Sequence, residues 1–372
     1  MYKINHIKIE GFRRLKDINL PVRPFMVFIG ANGVGKTSLL DAFSLLAASA
    51  AGGLNSKLSE FGGVTSVLTR GKAESVELFV DMEGTGHRPI EYDLRLSPKG
   101  IGYTISREVL SQSSKGFPNA FKHIDSHDSD IKYFEIEKKQ LVHPNWEHNP
   151  LETSLSQVPK MFQQPEELRR ILGSVTQYHA LDVGPRAPVK LPHQMKPADL
   201  PGANGEDLIP FLYYLRESNH DRYEAIEDTL RAAFPSFESL SFPPVAAGML
   251  TMTWKDRNFK KPFFMHELSE GTLRFIWLVS LLQSPGLSTV TMIDEPEVSL
   301  HPELLSLLAD LMREVAKRTH LIVATHSDRF IRFLEPGEIV IMDSDDAGDT
   351  ITTWGDSLDL DEWLKEYSLD EV

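Results

Sequence analysis

Phe25-Met26-Val27-Phe28-Ile29-Gly30-Ala31-Asn32-Gly33-Val34-Gly35-Lys36-Thr37-Ser38-Leu39-Leu40 is the stretch that decides the fold. Five apolar residues in succession read as a strand buried on both faces. Gly30–Thr37 fits the phosphate-loop pattern in full, and Leu39, Leu40, Phe43 and Leu46 then recur at helical spacing up to Gly52-Gly53. In such a loop the glycines let backbone N–H groups turn inward around phosphate oxygens, and the helix start adds its dipole. Lys36 would reach the β- and γ-phosphates, and the Thr37 hydroxyl would take one Mg²⁺ position.

Outward from this stretch, Ile4, Ile7 and Ile9 and then Ile18, Leu20 and Val22 predict two short strands joined by the basic turn Gly11-Phe12-Arg13-Arg14. From Val64 to Arg107 the alternation predicts a small antiparallel sheet. Residues 111–160 lose periodicity and predict loops, and helical patterns return near Pro165–Leu172, Glu206–Arg216 and Tyr223–Ala233. Beyond 250 the chain resumes strand–helix–strand character: Thr289–Ile293, a helix over Pro302–Val315, and the strand His320–Ala324. The expected fold class is α/β, with a mixed or parallel core sheet, an N-terminal antiparallel β lobe and a loop-rich, helical insertion. Its divisions fall at 1–110, 111–245 and 246–372.

Three further motifs carry chemistry. Asp294-Glu295 ends a predicted strand, where Asp294 can hold Mg²⁺ through water and Glu295 can orient or deprotonate an attacking water. Two solvated acids at a strand end are the plainer reading, and the loop upstream argues against it. Thr325-His326-Ser327 ends the next strand 32 residues later, about one strand–helix–strand unit, so His326 should emerge on the same edge to meet a γ-phosphate. Leu268-Ser269-Glu270-Gly271-Thr272 opens a helix with Ser269 as N-cap. Its free N–H donors form a second anion site, which makes sense facing the nucleotide of another subunit; alone, it reads as a plain cap.

Composition excludes other classes. With 372 residues, 41% hydrophobic and 25% charged, the chain is ordinary globular protein. It has no cysteine, which excludes disulfides and cysteine-ligated metal and points to a reducing cytoplasm. The N-terminus leads straight into a strand pattern, so no signal peptide is expected, and no apolar run is long enough for a membrane partner or span. The net charge of −14 is uneven: residues 341–372 hold eleven acids and one lysine, whereas residues 1–40 sum to +5. Arg13, Arg14, Lys16 and Arg23 therefore leave a duplex DNA surface open, with a solvated face as its rival. His143, Asn145, His148 and Asn149 hint at a nuclease or metal site, but without an apolar frame they read as a polar loop. Asp343, Asp345 and Asp346 read as the acidic turn of a hairpin.

The order P-loop, Leu-Ser-x-Gly, Asp-Glu-Pro-Glu, Leu300-His301-Pro302, Thr-His-Ser resembles the ABC-type ATPase heads of the RecF, SMC and OLD proteins, closest to the compact RecF-like AAA family ATPases. Ile7-Lys8-Ile9-Glu10-Gly11-Phe12-Arg13, Arg70-Gly71 with Val76-Glu77-Leu78, and the ending Trp363–Leu369 are similar too. The resemblance implies ATP and Mg²⁺ as cofactors. It implies nucleotide contacts from Arg13, Asn32, Gly33, Gly35, Lys36, Thr37 and Ser38, with metal contacts from Thr37 and Asp294. Ser269 and Gly271 would act in trans on a partner's ATP, with Glu295 as catalytic base and His326 as switch histidine. It further implies an ATP-dependent homodimer or higher homo-oligomer serving DNA repair or phage defence, with any nuclease or toxin effector on a separate chain. A non-hydrolysing scaffold and, behind it, a transporter ATPase are the rivals. Glu270 and Thr272 depart from the signature's usual residues, and the sequence places no glutamine loop.

Overall fold

The computed structural model describes residues 2–84, 88–113 and 120–358. The ending Trp363–Leu369 and the acids beyond Leu358 lie outside the described residues. The chain forms two compact units: Met1–Gln177 with Ser288–Met292 and Pro336–Val372, and Tyr178–Leu287 with Ile293–Glu335.

In the first unit, Tyr2–Phe12 and Leu15–Pro21 form an antiparallel hairpin that sets Ile7 opposite Leu20 and Ile9 opposite Ile18. All four are buried, as the alternation requires. Tyr2–Phe12 pairs on its other side with Val76–Gly84, and an eight-stranded antiparallel sheet continues through Ile90–Lys99 and Gly102–Gln112. Val64–Val67 is one helical turn rather than a strand. It follows Gly62 and Gly63, both at positive φ, which break an extended run.

The sheet is larger than the pattern predicts. Where loops are expected, Phe121–Ser126, Tyr133–Glu135 and Gln140–Val142 add three strands to its edge. Buried Glu108 ties the following segment to the sheet: its carboxylate accepts the N–H groups of Ser154 (2.6 Å) and Leu155 (2.7 Å). Burial raises its pKa, and those N–H groups pull the other way.

Phe25–Ile29 is buried at every residue and lies parallel to Ile339–Ser344, which turns back into Thr350–Trp354. The acidic hairpin is thus present, with its turn at Asp345–Asp349. The helix Lys36–Ala51 ends at Gly52 in the left-handed region and packs against the helix Gln163–Gly173.

The second unit is mainly helical: Leu208–Ser218, His220–Ala233, Glu270–Gln283 and Pro302–Ala316. Glu270–Gln283 buries Leu273 and all of Phe275–Leu282. Arg222 and Arg318 satisfy the carbonyls at its C-terminal end, on Gln283 (3.1 Å) and Ser284 (2.6 Å). The strand His320–Ala324 is buried throughout. Val290–Asp294 straddles the division, with Ile293 and Asp294 in this unit.

Candidate nucleotide site

In the first unit the buried strand ends at Gly30, at φ 143°. A Cβ there would lie 2.1 Å from the Met342 carbonyl oxygen, so only glycine lets the loop leave the sheet beside Ile339–Ser344. The Thr350 hydroxyl donates to the Val34 carbonyl at 2.7 Å and braces the loop from the returning hairpin strand. Asn32, Gly33 and Thr37 are exposed, Ser38 is half-buried, and Gly35 is buried as the N-cap of the helix. Lys36 Nζ donates to the Gly30 and Ala31 carbonyls at 2.5 and 3.0 Å, lying across the loop that phosphate would fill. Ala31, Asn32 and Gly33 are exposed, and a Cβ at Gly33 would meet nothing within 4 Å, so the outer side of the loop has room for a phosphate chain.

Arg13 sits at φ 52° in the turn between the first two strands. Its guanidinium pairs with Asp41 on the P-loop helix and covers the Phe61 ring, 4.7 Å from the centroid. A nucleotide would compete with Asp41 for it. Lys16 and Arg23 are engaged too, whereas Arg14 is exposed. Lys16 pairs with Asp349 at 2.8 Å, and Lys72 reaches the same carboxylate. Those two lysines hold Asp349 below the usual carboxylate range, Lys16 foremost. Arg23 pairs with Asp356 at 2.7 Å and lies over the Trp354 ring at 3.8 Å.

In the second unit Asp294 ends its strand, and Glu295 takes a left-handed turn at φ 51°, donating its N–H to the Ala324 carbonyl at 2.8 Å. That bond joins the ends of the two strands carrying the acid pair and Thr325-His326-Ser327. His326 is exposed, and Asp294 and Glu295 are half-buried. His179, which carries no motif in the sequence, lies with Nδ1 3.7 Å from an Asp294 oxygen. Glu295 lines a small recess with His179, Arg274 and Trp277.

Ser269 caps its helix as expected, accepting the Thr272 N–H at 3.1 Å. Its hydroxyl also shares a 2.8 Å bond with that of Thr272, so one of the departures from the usual signature engages the serine directly. Gly271 has a packing reason: a Cβ there would meet the Ser299 carbonyl at 2.4 Å. Arg274, one turn on, donates to the Ser299 hydroxyl at 2.8 Å. The helix start and the turn after Glu295 therefore pack backbone to backbone. Gly271→Ala is expected to cost about 1–3 kcal/mol through this overlap. Thermal unfolding checks it, and an unchanged midpoint would contradict the packing.

Sequence reasoning left the glutamine loop unplaced. Gln177 ends the first unit's segment, its side-chain oxygen accepting from the Ser44 hydroxyl at 2.6 Å, two turns along the P-loop helix from Lys36. His143 bonds the Ile131 carbonyl and His148 faces Gln157, as befits a polar loop. Among the described residues no group of three or more His, Asp or Glu could hold a metal ion by itself. A Mg²⁺ held by one or two side chains and phosphate oxygens needs no such cage.

The first unit carries a glycine-rich loop between a buried strand and a helix, and the second carries an acid pair and a histidine that end two strands; the fold is that of P-loop ATPase heads. Solved structures agree on the fold. An Smc head bound to the C-winged helix domain of ScpA is 16% identical, with 98% of this chain and 99% of that chain covered and a TM-score of 0.56. The Smc heads from Pyrococcus furiosus (with an extended coiled coil, bound to the C-terminal domain of ScpA) and Pyrococcus yayanosii (with a coiled coil and joint) are 13% and 10% identical. They cover 99% and 100% of both chains, with TM-scores of 0.54 and 0.55. No curated protein matches. Residues 25–332 match the family described as "AAA domain, putative AbiEii toxin, Type IV TA system", and the chain belongs to that family.

Proposed function

We propose that the protein is an ATP-driven switch in which ATP joins two copies and hydrolysis releases them. The observation that carries this reading is that one chain presents two separate starts of helices to solvent, the P-loop and the Ser269 cap. One triphosphate occupies the first. A two-fold dimer gives the second a ligand, each Ser269 and Gly271 covering the partner's nucleotide, so every donor set is used twice.

On this reading the loop N–H groups and Lys36 hold the phosphates, and Asn32, Gly33, Gly35 and Ser38 shape the cradle. Thr37 and, through water, Asp294 would hold Mg²⁺, which would supply charge to neutralise the phosphates. Glu295 accepts the proton of the attacking water, and His326 senses the γ-phosphate. Arg13 contributes only once it leaves Asp41.

The family description, which names a putative toxin of a toxin–antitoxin system, supports duty in defence; an effector on another chain is part of the proposal, and Asp345, Asp346 and Asp349 lie in the hairpin turn after Ile339–Ser344. DNA is the weaker partner, since Arg13, Lys16 and Arg23, three of the four cations that suggested it, pair with Asp41, Asp349 and Asp356, while Arg14 is exposed. No helix among the described residues is long and apolar enough to cross a membrane. Phosphate release from Mg-ATP by the purified chain tests hydrolysis. ATP binding without release would replace the switch by the non-hydrolysing scaffold.

A further inference from the structure

We propose, on the ATPase reading above, that Glu297 is a positioning residue that locks the base-bearing turn Asp294–Leu300 to the histidine-bearing turn Thr325–Ser327. The two turns are already joined by one backbone bond, Glu295 N–H to the Ala324 carbonyl at 2.8 Å. A single bond at a strand end acts as a pivot. Glu297 supplies the second point of attachment: its carboxyl accepts the Thr325 hydroxyl, and the Thr325 oxygen in turn accepts the Ser327 N–H at 3.0 Å. The N–H groups of Glu297 itself and of His326 also act on this carboxylate. The Ser327 hydroxyl then caps the next helical turn at the Phe330 N–H, 3.2 Å away. His326 is therefore bracketed on both sides by residues fixed, directly or in one step, to Glu297.

The arrangement is costly for a purely structural link. Thr325 is fully buried, and Glu297 is buried enough that desolvation pushes its carboxyl above the usual range. Its second oxygen is buried without a hydrogen-bond partner. An apolar pair of similar volume would hold two turns together at less cost. What the carboxyl adds is direction: it sets the angle between the turn that presents Glu295 and the turn that presents His326, so movement of either shifts the other. Such coupling suits a base and a sensor that must meet the same γ-phosphate.

The test is a double-mutant cycle in the full-length chain with Mg-ATP. Glu297→Ala and Thr325→Val should each lower kcat about 10- to 100-fold, the scale of a misplaced catalytic group, with KM within about threefold. Glu297→Gln and Thr325→Ser, which keep the acceptor and the hydroxyl, should retain kcat within about threefold. The combined Glu297→Ala, Thr325→Val chain should be no worse than the poorer single variant. If Glu297→Ala does not fold, Glu297→Leu fills the space without an acceptor and takes its place. Additive losses, or Glu297→Gln as impaired as Glu297→Ala, would overturn the proposal. Amide hydrogen exchange at His326 and Ser327 is a readout independent of turnover. It should rise about tenfold in Glu297→Ala and Thr325→Val and stay level in Glu297→Gln. A rise in a chain that releases no phosphate would sink the ATPase reading while leaving the coupling intact; unchanged exchange would sink the coupling.

Discussion

Lys36→Ala is expected to weaken ATP binding by two to three orders of magnitude while leaving the fold in place. The ammonium donates to the Gly30 and Ala31 carbonyls. Phosphate oxygens would replace those neutral acceptors with charged ones, and hydrogen bonds to charged groups contribute about 1.5–3 kcal/mol each. At the lower part of that range, losing two of them costs about 3–4 kcal/mol, and each 1.4 kcal/mol is about tenfold in affinity. The fold should survive because Ala31 is exposed and Gly30 half-buried, so both carbonyls can turn to water. Calorimetric titration with Mg-ATP checks the loss, and thermal unfolding checks the fold. An affinity within fivefold of the parent would remove Lys36 from the phosphate site.

Glu295→Gln should show the opposite pattern: ATP affinity within a few-fold of the parent, and turnover lower by about 10²–10⁴, the usual contribution of a positioned base. The structure makes this a clean substitution. The backbone at φ 51° is tolerated by glutamine as by glutamate, and the N–H bond to Ala324 does not involve the side chain. Only the ability to take a proton from water is lost. Single-turnover phosphate release separates this from slow product release. Turnover within tenfold of the parent would assign the base elsewhere, and His179 beside Asp294 would be the first residue to examine.

The elements nearest the chemistry were legible because their signals are local. The apolar run 25–29, the octet 30–37, the helical spacing after it, the N-cap at Ser269 and the strand 320–324 each lie within one short window, and all are present. The outer strands 121–126, 133–135 and 140–142 were not, because runs of three to six residues mixed with histidine, lysine and glutamate have no readable period. The turn at Val64–Val67 departs from the strand pattern for a related reason: valines favour strands, and the glycines before them, at positive φ, break the extended run.

Lys16 and Asp349, and likewise Arg23 and Asp356, are 333 positions apart, so no window shows that the basic start is cancelled by the acidic end. Arg13, Lys16 and Arg23 pair with acids outside residues 1–40, so the net charge of +5 over that stretch overstates the surface open to polyanions. Glu297 stood in plain view in Asp-Glu-Pro-Glu, but its link to Thr325 needs two strand ends brought side by side. The roles assigned to the site residues rest on the experiments above.

The central claim is that ATP itself completes the contact between two copies. Light scattering coupled to size exclusion, on Glu295→Gln with and without Mg-ATP, measures this directly. Binding energy from the γ-phosphate favours the closed state only if the partner's Ser269 helix touches it. The 42.0 kDa chain should therefore run at twice its mass with ATP, or as a tighter dimer if it already pairs without nucleotide. Adding Ser269→Arg should abolish the ATP-dependent step while Mg-ATP still binds at the P-loop. A Glu295→Gln chain that saturates with ATP and gains no association, or a Ser269→Arg variant that closes as readily as its parent, would contradict the account.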